Sequence, residues 1–253
     1  MNNRFTPLFD QISDLRSIAI EARAPANHLA LLTEHPVAYE SNDHKAPWGT
    51  KNDNTRSARF CRALEAHFRR PISAMDLGCS GGGLVFDFLV RGHLAIGLEG
   101  SDYSLKSQRA EWRVIDDYLY TCDITKPFDV VDKTSRATHA FDVITMWEVL
   151  EHIHEEHLPQ LFANVKKHLV PDGLFVGSAA LYDDVVNGVS YHPTVKPEMW
   201  WRETAQRNGL EFVPKTMFDF ADFCRGTGNG PLDPNFAQDP GKGFHFVMRH
   251  RAA

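Results

Sequence analysis

Cysteine is scarce in this chain: Cys61, Cys79, Cys122 and Cys224 are its four, and none belongs to a CxxC pair. That spacing offers neither a disulfide framework nor a thiolate zinc site, and it predicts a reducing, cytoplasmic setting. Long apolar runs are missing too. No stretch approaches the roughly 20 residues that would span a bilayer, and the Met-Asn-Asn-Arg start leads into a mixed polar segment, so neither a membrane span nor export is expected. Positive charge is also short, because 27 basic against 33 acidic residues leave a net charge of −6. A broad surface for neutralising a phosphate backbone is therefore disfavoured. No period repeats, which sets aside solenoids and propellers. What is present is an ordinary globular balance, 43% hydrophobic and 24% charged over 253 residues, enough for one main domain with elaborations.

Residues 1–70 place Leu8, Ile12, Leu15 and Ala19 on one helical stripe, cross a polar stretch at 40–54, and resume a helical pattern with Phe60, Leu64 and Phe68. This predicts an N-terminal helical cover with a loop inside it. From 71 to about 180, short apolar runs alternate with helix-length segments, the signature of βα units and a parallel sheet. Strands are predicted over 72–76, 94–99, 118–123, 141–146 and 174–178. Leu84, Val85, Phe88 and Leu89 share one helical face ending at Gly92, and Leu158, Leu161, Phe162, Val165 and Leu169 share another. Lys166, Lys167 and His168 fall in that second helix's final turn, where cations suit the dipole, and Pro171-Asp172-Gly173 reads as a turn. A helix over 197–208 and two edge strands around 210–212 and 244–248 follow. The Gly- and Pro-rich stretch 214–243 between those strands is longer than an ordinary connection and reads as a lid or a disordered loop.

The chemistry gathers at strand ends. Met75-Asp76-Leu77-Gly78-Cys79-Ser80-Gly81-Gly82-Gly83 sits between a strand and a helix, where glycine lets a ligand approach bare N–H groups. Glu99 ends the next strand, about 20 residues on, where a ribose-binding carboxylate belongs. A nicotinamide or flavin site is the rival reading, but Asp76 directly before the loop would repel a pyrophosphate while suiting an ammonium group.

Over residues 72–180 the sequence resembles the class I S-adenosylmethionine-dependent methyltransferases. Asp76-Leu77-Gly78-Cys79-Ser80-Gly81-Gly82 is similar to their glycine-rich first motif, with Ser80 where a second glycine is usual and its hydroxyl set to crowd the methionine part of the ligand. Glu99, in Leu98-Glu99-Gly100-Ser101, resembles the ribose-binding acid, and Asp123, in Cys122-Asp123-Ile124, the acid that meets the adenine amino group. The run from Phe141 through Met146, Trp147 and Glu148 to His152 resembles the fourth-strand motif. The resemblance implies a Rossmann-like α/β fold with a seven-stranded, mainly parallel sheet, an antiparallel last strand and helices on both faces. It divides the chain into a cover at 1–70 and a cofactor-binding domain at 71–253 with a loop insertion at 214–243. It also implies S-adenosylmethionine as cofactor and S-adenosylhomocysteine as product. Asp76, Gly78, Cys79, Ser80, Gly82, Glu99, Gly100, Ser101, Asp123, Ile124, Met146 and Trp147 become the candidate cofactor-binding residues.

An aliphatic hydroxyl acceptor holds its proton tightly, so a general base or a metal must help remove it. Glu148, Glu151 and His152, spaced i, i+3, i+4, should share one helical face after the fourth strand, and His192 lies upstream of the next helix. The set Glu148, Glu151, His152 and His192 resembles the metal site of methyltransferases acting on the terminal ribose of small RNAs. The same pattern also occurs in quinone-type small-molecule methyltransferases, where such residues cap a helix and line the site, and this metal-free alternative is favoured. His192 and His152 are the candidate catalytic residues. A small-molecule hydroxyl, of a sugar, a quinone-like compound or a secondary metabolite, is the expected acceptor, under the cover and loop 214–243. A metal-assisted RNA ribose 2′-O-methyltransferase and a non-catalytic cofactor binder are the alternatives. Elsewhere the plain readings are preferred. His154 and His157 belong to a solvated face, Lys51, Arg56, Arg59 and Arg62 to another, Phe218, Phe220 and Phe223 to the core, and Trp200 and Trp201 divide between core and substrate site.

Overall fold

A computed structural model of the chain describes residues 6–230 and 233–252, with side chains from residue 15 onward. The N-terminal part carries α1 (Thr6–Arg23), β1 (Leu29–Thr33), α2 (Asn42–Lys45), α3 (Trp48–Asn52) and α4 (Ala58–Phe68). The βα alternation then runs through β2 (Ser73–Leu77), α5 (Gly83–Leu89), β3 (Leu94–Glu99), α6 (Tyr103–Ser107), β4 (Leu119–Thr121), β5 (Phe128–Asp132), β6 (Phe141–Trp147), α7 (Leu158–Lys167) and β7 (Leu169–Ala180). A hairpin of β8 (Val185–Val186) and β9 (Val189–Ser190), then α8 (Glu198–Arg207), β10 (Leu210–Phe212) and β11 (Gly243–His250), complete the order. Among the described residues no helix is long and apolar enough to cross a membrane.

The main sheet has the order β10-β11-β7-β6-β2-β3-β4. Only β11 runs against the rest, pairing antiparallel with both β7 and β10. This is the expected Rossmann-like α/β sheet. Burial on both faces explains the continuous apolar strands, and strand alternation feeds two cores. Met75, Leu77, Ile96, Leu98, Ile144 and Met146 face one, whereas Ala74, Ala95, Val143 and Val176 face the other. After β2 the chain builds outward through β3 and β4, then returns to the other side for β6 and β7. The reversal opens a crevice at the carboxyl ends of β2 and β6, the place where such sheets bind ligands.

Several sequence expectations are corrected. The cover is not purely helical, since β1 pairs antiparallel with β5 in a two-stranded ribbon that the sequence reading missed. Leu15 is 66% exposed while Ile20 is buried, so α1 turns a different face inward; Leu8 and Ile12 lie outside the described side chains. Pro171-Asp172-Gly173 forms no turn. It sits inside β7 as a bulge, where the register with β6 steps from Phe141↔Leu169 to Val143↔Leu174. His168 is no surface cation. It is buried and stacks on Phe128, and its Nε2 accepts from the Val130 N–H at 3.0 Å. Burial pushes its pKa down, so the ring fills a core position as a neutral acceptor.

Candidate functional site

The glycine-rich turn leaves β2 through Gly78 and Gly82, both with positive φ (76° and 83°). A Cβ at Gly78 would sit 2.5 Å from Val149 Cγ2, and one at Gly82 would sit 2.7 Å from Leu119 Cδ1, so the turn closes this tightly only with glycine. Ser80 holds φ 46°, a left-handed conformation costing roughly 1–2 kcal/mol for a residue with a Cβ. Its hydroxyl turns toward the cover, donating to the Asp53 carbonyl at 2.9 Å, and accepts from Arg109 Nη2 at 2.9 Å. The serine that replaces a glycine therefore anchors the 50–53 segment over the loop.

Asp76, at the end of β2, is 6% exposed and accepts from Thr145 Oγ1 at 2.6 Å. Burial, reinforced by Asp53 and Glu99, lifts its pKa to about 7. Glu99 ends β3 with Oε2 accepting from the Ser80 N–H at 2.7 Å and Oε1 from the Ser101 N–H at 3.0 Å. Thr50 Oγ1 adds a longer contact of 3.3 Å. Burial raises the Glu99 pKa, against the pull of those two N–H groups. A carboxylate has about four acceptor sites, so Glu99 can take a diol if the Thr50 hydroxyl gives way. Asp123 caps its own turn, Oδ1 accepting from the Thr125 N–H at 2.9 Å and from its hydroxyl at 2.6 Å.

Ser80, Glu99 and Asp123 open on a cavity of about 940 Å³. Of the residues singled out for cofactor binding, Gly78, Ser80, Glu99, Gly100, Ser101, Asp123, Ile124 and Trp147 line it. Asp76, Cys79, Gly82 and Met146 lie behind that wall. Cys79 packs under Gly97, Gly82 under Leu119, and Met146 in the core.

The post-β6 segment departs from expectation. Glu148 takes a positive φ of 52°, and Leu150–His152 form a single 3-10 turn, so no helical face collects the three residues. Glu148 is drawn aside to Arg225, whose Nη2 donates to Glu148 Oε2 at 2.8 Å and whose Nη1 meets Asp53 Oδ1 at 3.1 Å. Burial raises the Glu148 pKa even so. Glu151, His152 and His192 do converge, each offering one donor atom within 4.8 Å of the others. Glu151 is fully buried, with Oε1 accepting from the Ala180 N–H at 3.0 Å and Oε2 without a partner. Burial lifts it to about 7, against the pull of His152. His152 Nδ1 donates to Asp43 Oδ2 at 2.9 Å. Burial opposes a charge on this ring, but Asp43 and Glu151 outweigh it and raise the imidazole to about 9. His192 Nδ1 donates to the Tyr182 carbonyl at 2.6 Å, which leaves a lone pair on Nε2. Burial and the neighbouring His152 lower its pKa. The rings lie 4.7 Å apart, edge to face.

Other expectations are met or revised here. His154 is exposed, as a solvated face implies, and with the half-buried His157 it also lines the cavity. Lys51, Arg56, Arg59 and Arg62 are exposed as expected, Arg56 being also paired with Asp87 and Glu111 and Arg59 with Asp222. Trp201 is buried, but Trp200 packs against the core under Lys196 and does not line the cavity. Phe218 and Phe223 are buried as expected, whereas Phe220 is 36% exposed. Among the described residues of loop 214–243, only Arg225 reaches the cavity. Sequence reasoning missed Asp43, Asp53, Tyr182 and Arg225. The only signals they carried were a run of capping residues (Ser41-Asn42-Asp43) and a lone arginine in a glycine-rich stretch.

A family model described as a methyltransferase domain matches residues 51–221, more than half of the chain. No curated protein matches it by sequence. Among solved structures, a 1,6-didemethyltoxoflavin-N1-methyltransferase from Burkholderia thailandensis, with its substrate and S-adenosylhomocysteine bound, superposes with a TM-score of 0.50 at 17% identity, covering 83% of this chain and 84% of that one. An S-adenosylmethionine-dependent methyltransferase from Clostridium acetobutylicum gives 0.55 at 11% identity, covering 79% and 93%. The CcbJ methyltransferase of Streptomyces caelestis gives 0.53 at 12%, covering 86% and 99%. At these identities the likeness speaks for the fold, and the matched family model for the lineage: the chain belongs to the methyltransferase-domain family.

Proposed function

We propose that this enzyme transfers a methyl group from S-adenosylmethionine to a hydroxyl of a small molecule in the cytoplasm. The observation that carries the reading is a single cavity joining the glycine-rich floor and Glu99, at the ends of β2 and β3, to His152 and His192 beyond β6 and β7. Glu99 would hold the ribose, Asp123 the adenine amino group and Asp76 the ammonium of the methionine part. The solved 1,6-didemethyltoxoflavin-N1-methyltransferase, which has S-adenosylhomocysteine bound, supports this cofactor. The four free thiols, three of them buried, suit a reducing compartment.

Transfer is an in-line displacement: the acceptor oxygen attacks the sulfonium methyl, the carbon–sulfur bond breaks, and S-adenosylhomocysteine leaves neutral at sulfur. The hydroxyl proton goes to His192 Nε2, the unpartnered nitrogen of a neutral ring. His152, held by Asp43, faces it as the cationic neighbour that keeps His192 unprotonated beforehand. Among the described residues the cavity wall carries eight carboxylates against Lys126 and Arg225 as fixed cations, which favours a neutral or cationic small acceptor over RNA.

One observation supports a second form of this chemistry. Glu151 Oε2 is buried and unpartnered beside two imidazoles whose Nδ1 atoms are both engaged, and one carboxylate with two imidazoles suits a divalent cation of intermediate hardness. Such a cation on Glu151, His152 and His192 would acidify the acceptor hydroxyl directly. Glu148, turned to Arg225, stands outside that set.

Calorimetric titration with S-adenosylhomocysteine tests the cofactor assignment. Glu99→Gln should weaken binding about tenfold to a hundredfold, since each hydrogen bond to a charged group contributes roughly 1.5–3 kcal/mol. Undiminished affinity would remove Glu99 from the ribose site. Release of S-adenosylhomocysteine in an acceptor screen, with and without EDTA, separates the two forms: full turnover in chelator leaves His192 as the base, and loss of turnover assigns the cation.

A further inference from the structure

Asp43 lies on α2 in the N-terminal cover, 109 residues from His152, yet it takes that ring's Nδ1–H. Its placement is built rather than incidental. Ser41 caps α2 by accepting from the Asp43 N–H at 3.1 Å, and the same short segment is tied to the hairpin after β7 at two further points. Asn42 Nδ2 donates to the Ser190 carbonyl at 2.8 Å, and Tyr191 Oη donates to the Ala46 carbonyl at 2.7 Å. His192 follows directly in that hairpin segment, its own Nδ1 fixed on the Tyr182 carbonyl. Both imidazoles are therefore locked through Nδ1, His192 with its Nε2 lone pair free and His152 with an Nε2 proton that a bound cation would displace, beside the buried, unpartnered Glu151 Oε2. Histidines that ligate a metal typically donate the opposite N–H to a carboxylate or a carbonyl, and these outer partners are worth 10–100-fold in metal affinity.

We propose that Asp43 is the outer carboxylate of a divalent-cation site formed by Glu151, His152 and His192, and that through it cation binding clamps the 41–46 segment over the acceptor side of the cavity. This rests on the cation form of the function proposed above. Thermodynamic linkage makes the coupling reciprocal: whatever Asp43 adds to cation affinity, the bound cation adds to the hold on Asp43 and its segment. The cover thus closes most firmly on a loaded site, which would exclude water as the acceptor hydroxyl loses its proton. Asp43 touches no reacting atom in this scheme and is a positioning residue.

The test uses Co²⁺ and Mn²⁺ titrated calorimetrically into the 253-residue chain, with thermal unfolding as a check that each variant folds. Wild type should bind one equivalent of either ion, Glu151→Gln should lose that binding, and Asp43→Asn should weaken it 10–100-fold. Hydrogen exchange supplies the second readout. The ion should slow exchange at the Lys45 and Ala46 amides in wild type and leave it unchanged in Asp43→Asn. Equal affinity in wild type and Asp43→Asn, or exchange at 45–46 indifferent to the ion, overturns the proposal. Failure of wild type to bind either ion while S-adenosylhomocysteine still binds removes the cation site and leaves methyl transfer standing. Loss of S-adenosylhomocysteine binding in wild type would instead remove the transfer reading itself.

Discussion

Asp76→Asn should make the empty protein more stable at pH 8 and at the same time weaken its hold on S-adenosylhomocysteine. The buried carboxyl is raised to about 7 from an ordinary 3.8, by burial first and by Asp53 and Glu99 second. Its proton is bound more tightly in the folded than in the unfolded state. Folding stability therefore falls as pH rises from about 4 to about 7 and is flat on either side. Three units at 1.4 kcal/mol each put the cost on the order of 4 kcal/mol at pH 8. Asparagine keeps an acceptor for the Thr145 hydroxyl, which donates at 2.6 Å, but carries no charge to desolvate. Thermal unfolding should show a midpoint raised on the order of 8–16 °C at pH 8 and a flattened pH dependence between 4 and 7. If Asp76 receives the ligand's ammonium, the same change should cost 10–100-fold in affinity for S-adenosylhomocysteine. An unstable variant with unchanged affinity would make Asp76 a structural acid and detach it from the cofactor.

How much of this was legible in the sequence depends on whether a residue's partner is near it along the chain. Strands β2, β3 and β6 announce themselves because both faces are buried and every position is constrained toward apolar residues. Glu99 is readable because its partner loop lies one βα unit upstream, a spacing fixed by the strand-turn-helix geometry itself. The 3-10 turn after β6 defeats the helical spacing argument: with Glu148 left-handed, Glu148 and Glu151 diverge although their numbers predict one face. Asp43 and Ser80 show the other limit. The stretch 40–54 carries no periodicity, so nothing local distinguishes a solvated loop from one whose Asp53 carbonyl and Asp43 and Asp53 carboxylates are engaged by residues 27 to 172 positions away. His168 fails for a similar reason, since a helix-terminal histidine looks cationic until Phe128 and the Val130 N–H are known to enclose it.

Arg225→Met should loosen the site more than any other single substitution of a cavity-lining residue. The guanidinium meets three segments at once: the cover at Asp53, the post-β6 loop at Glu148 and its own loop at Asp233, 3.9 Å away. The three ion pairs are unequal, and the one with Asp233 is the longest at 3.9 Å. Asp53 is 39% exposed on its side chain, so that pair is largely screened, but Glu148 is 11% exposed and its other oxygen is already unpartnered. Removing the arginine strands a buried carboxylate, a change that typically costs 3–5 kcal/mol. The sign with pH follows from Glu148, whose folded pKa is raised by burial even with Arg225 present. Without the cation it rises further, so the variant's deficit should grow as pH climbs through the carboxylate range and shrink in acid, where Glu148 takes up a proton. Chemical denaturation at pH 5 and pH 8 measures both quantities. Arg225→Met combined with Glu148→Gln should recover most of the loss at pH 8, because the stranded charge is gone. A double variant as unstable as the single one would show that Arg225 acts through packing of its stem and not through the charge it neutralises.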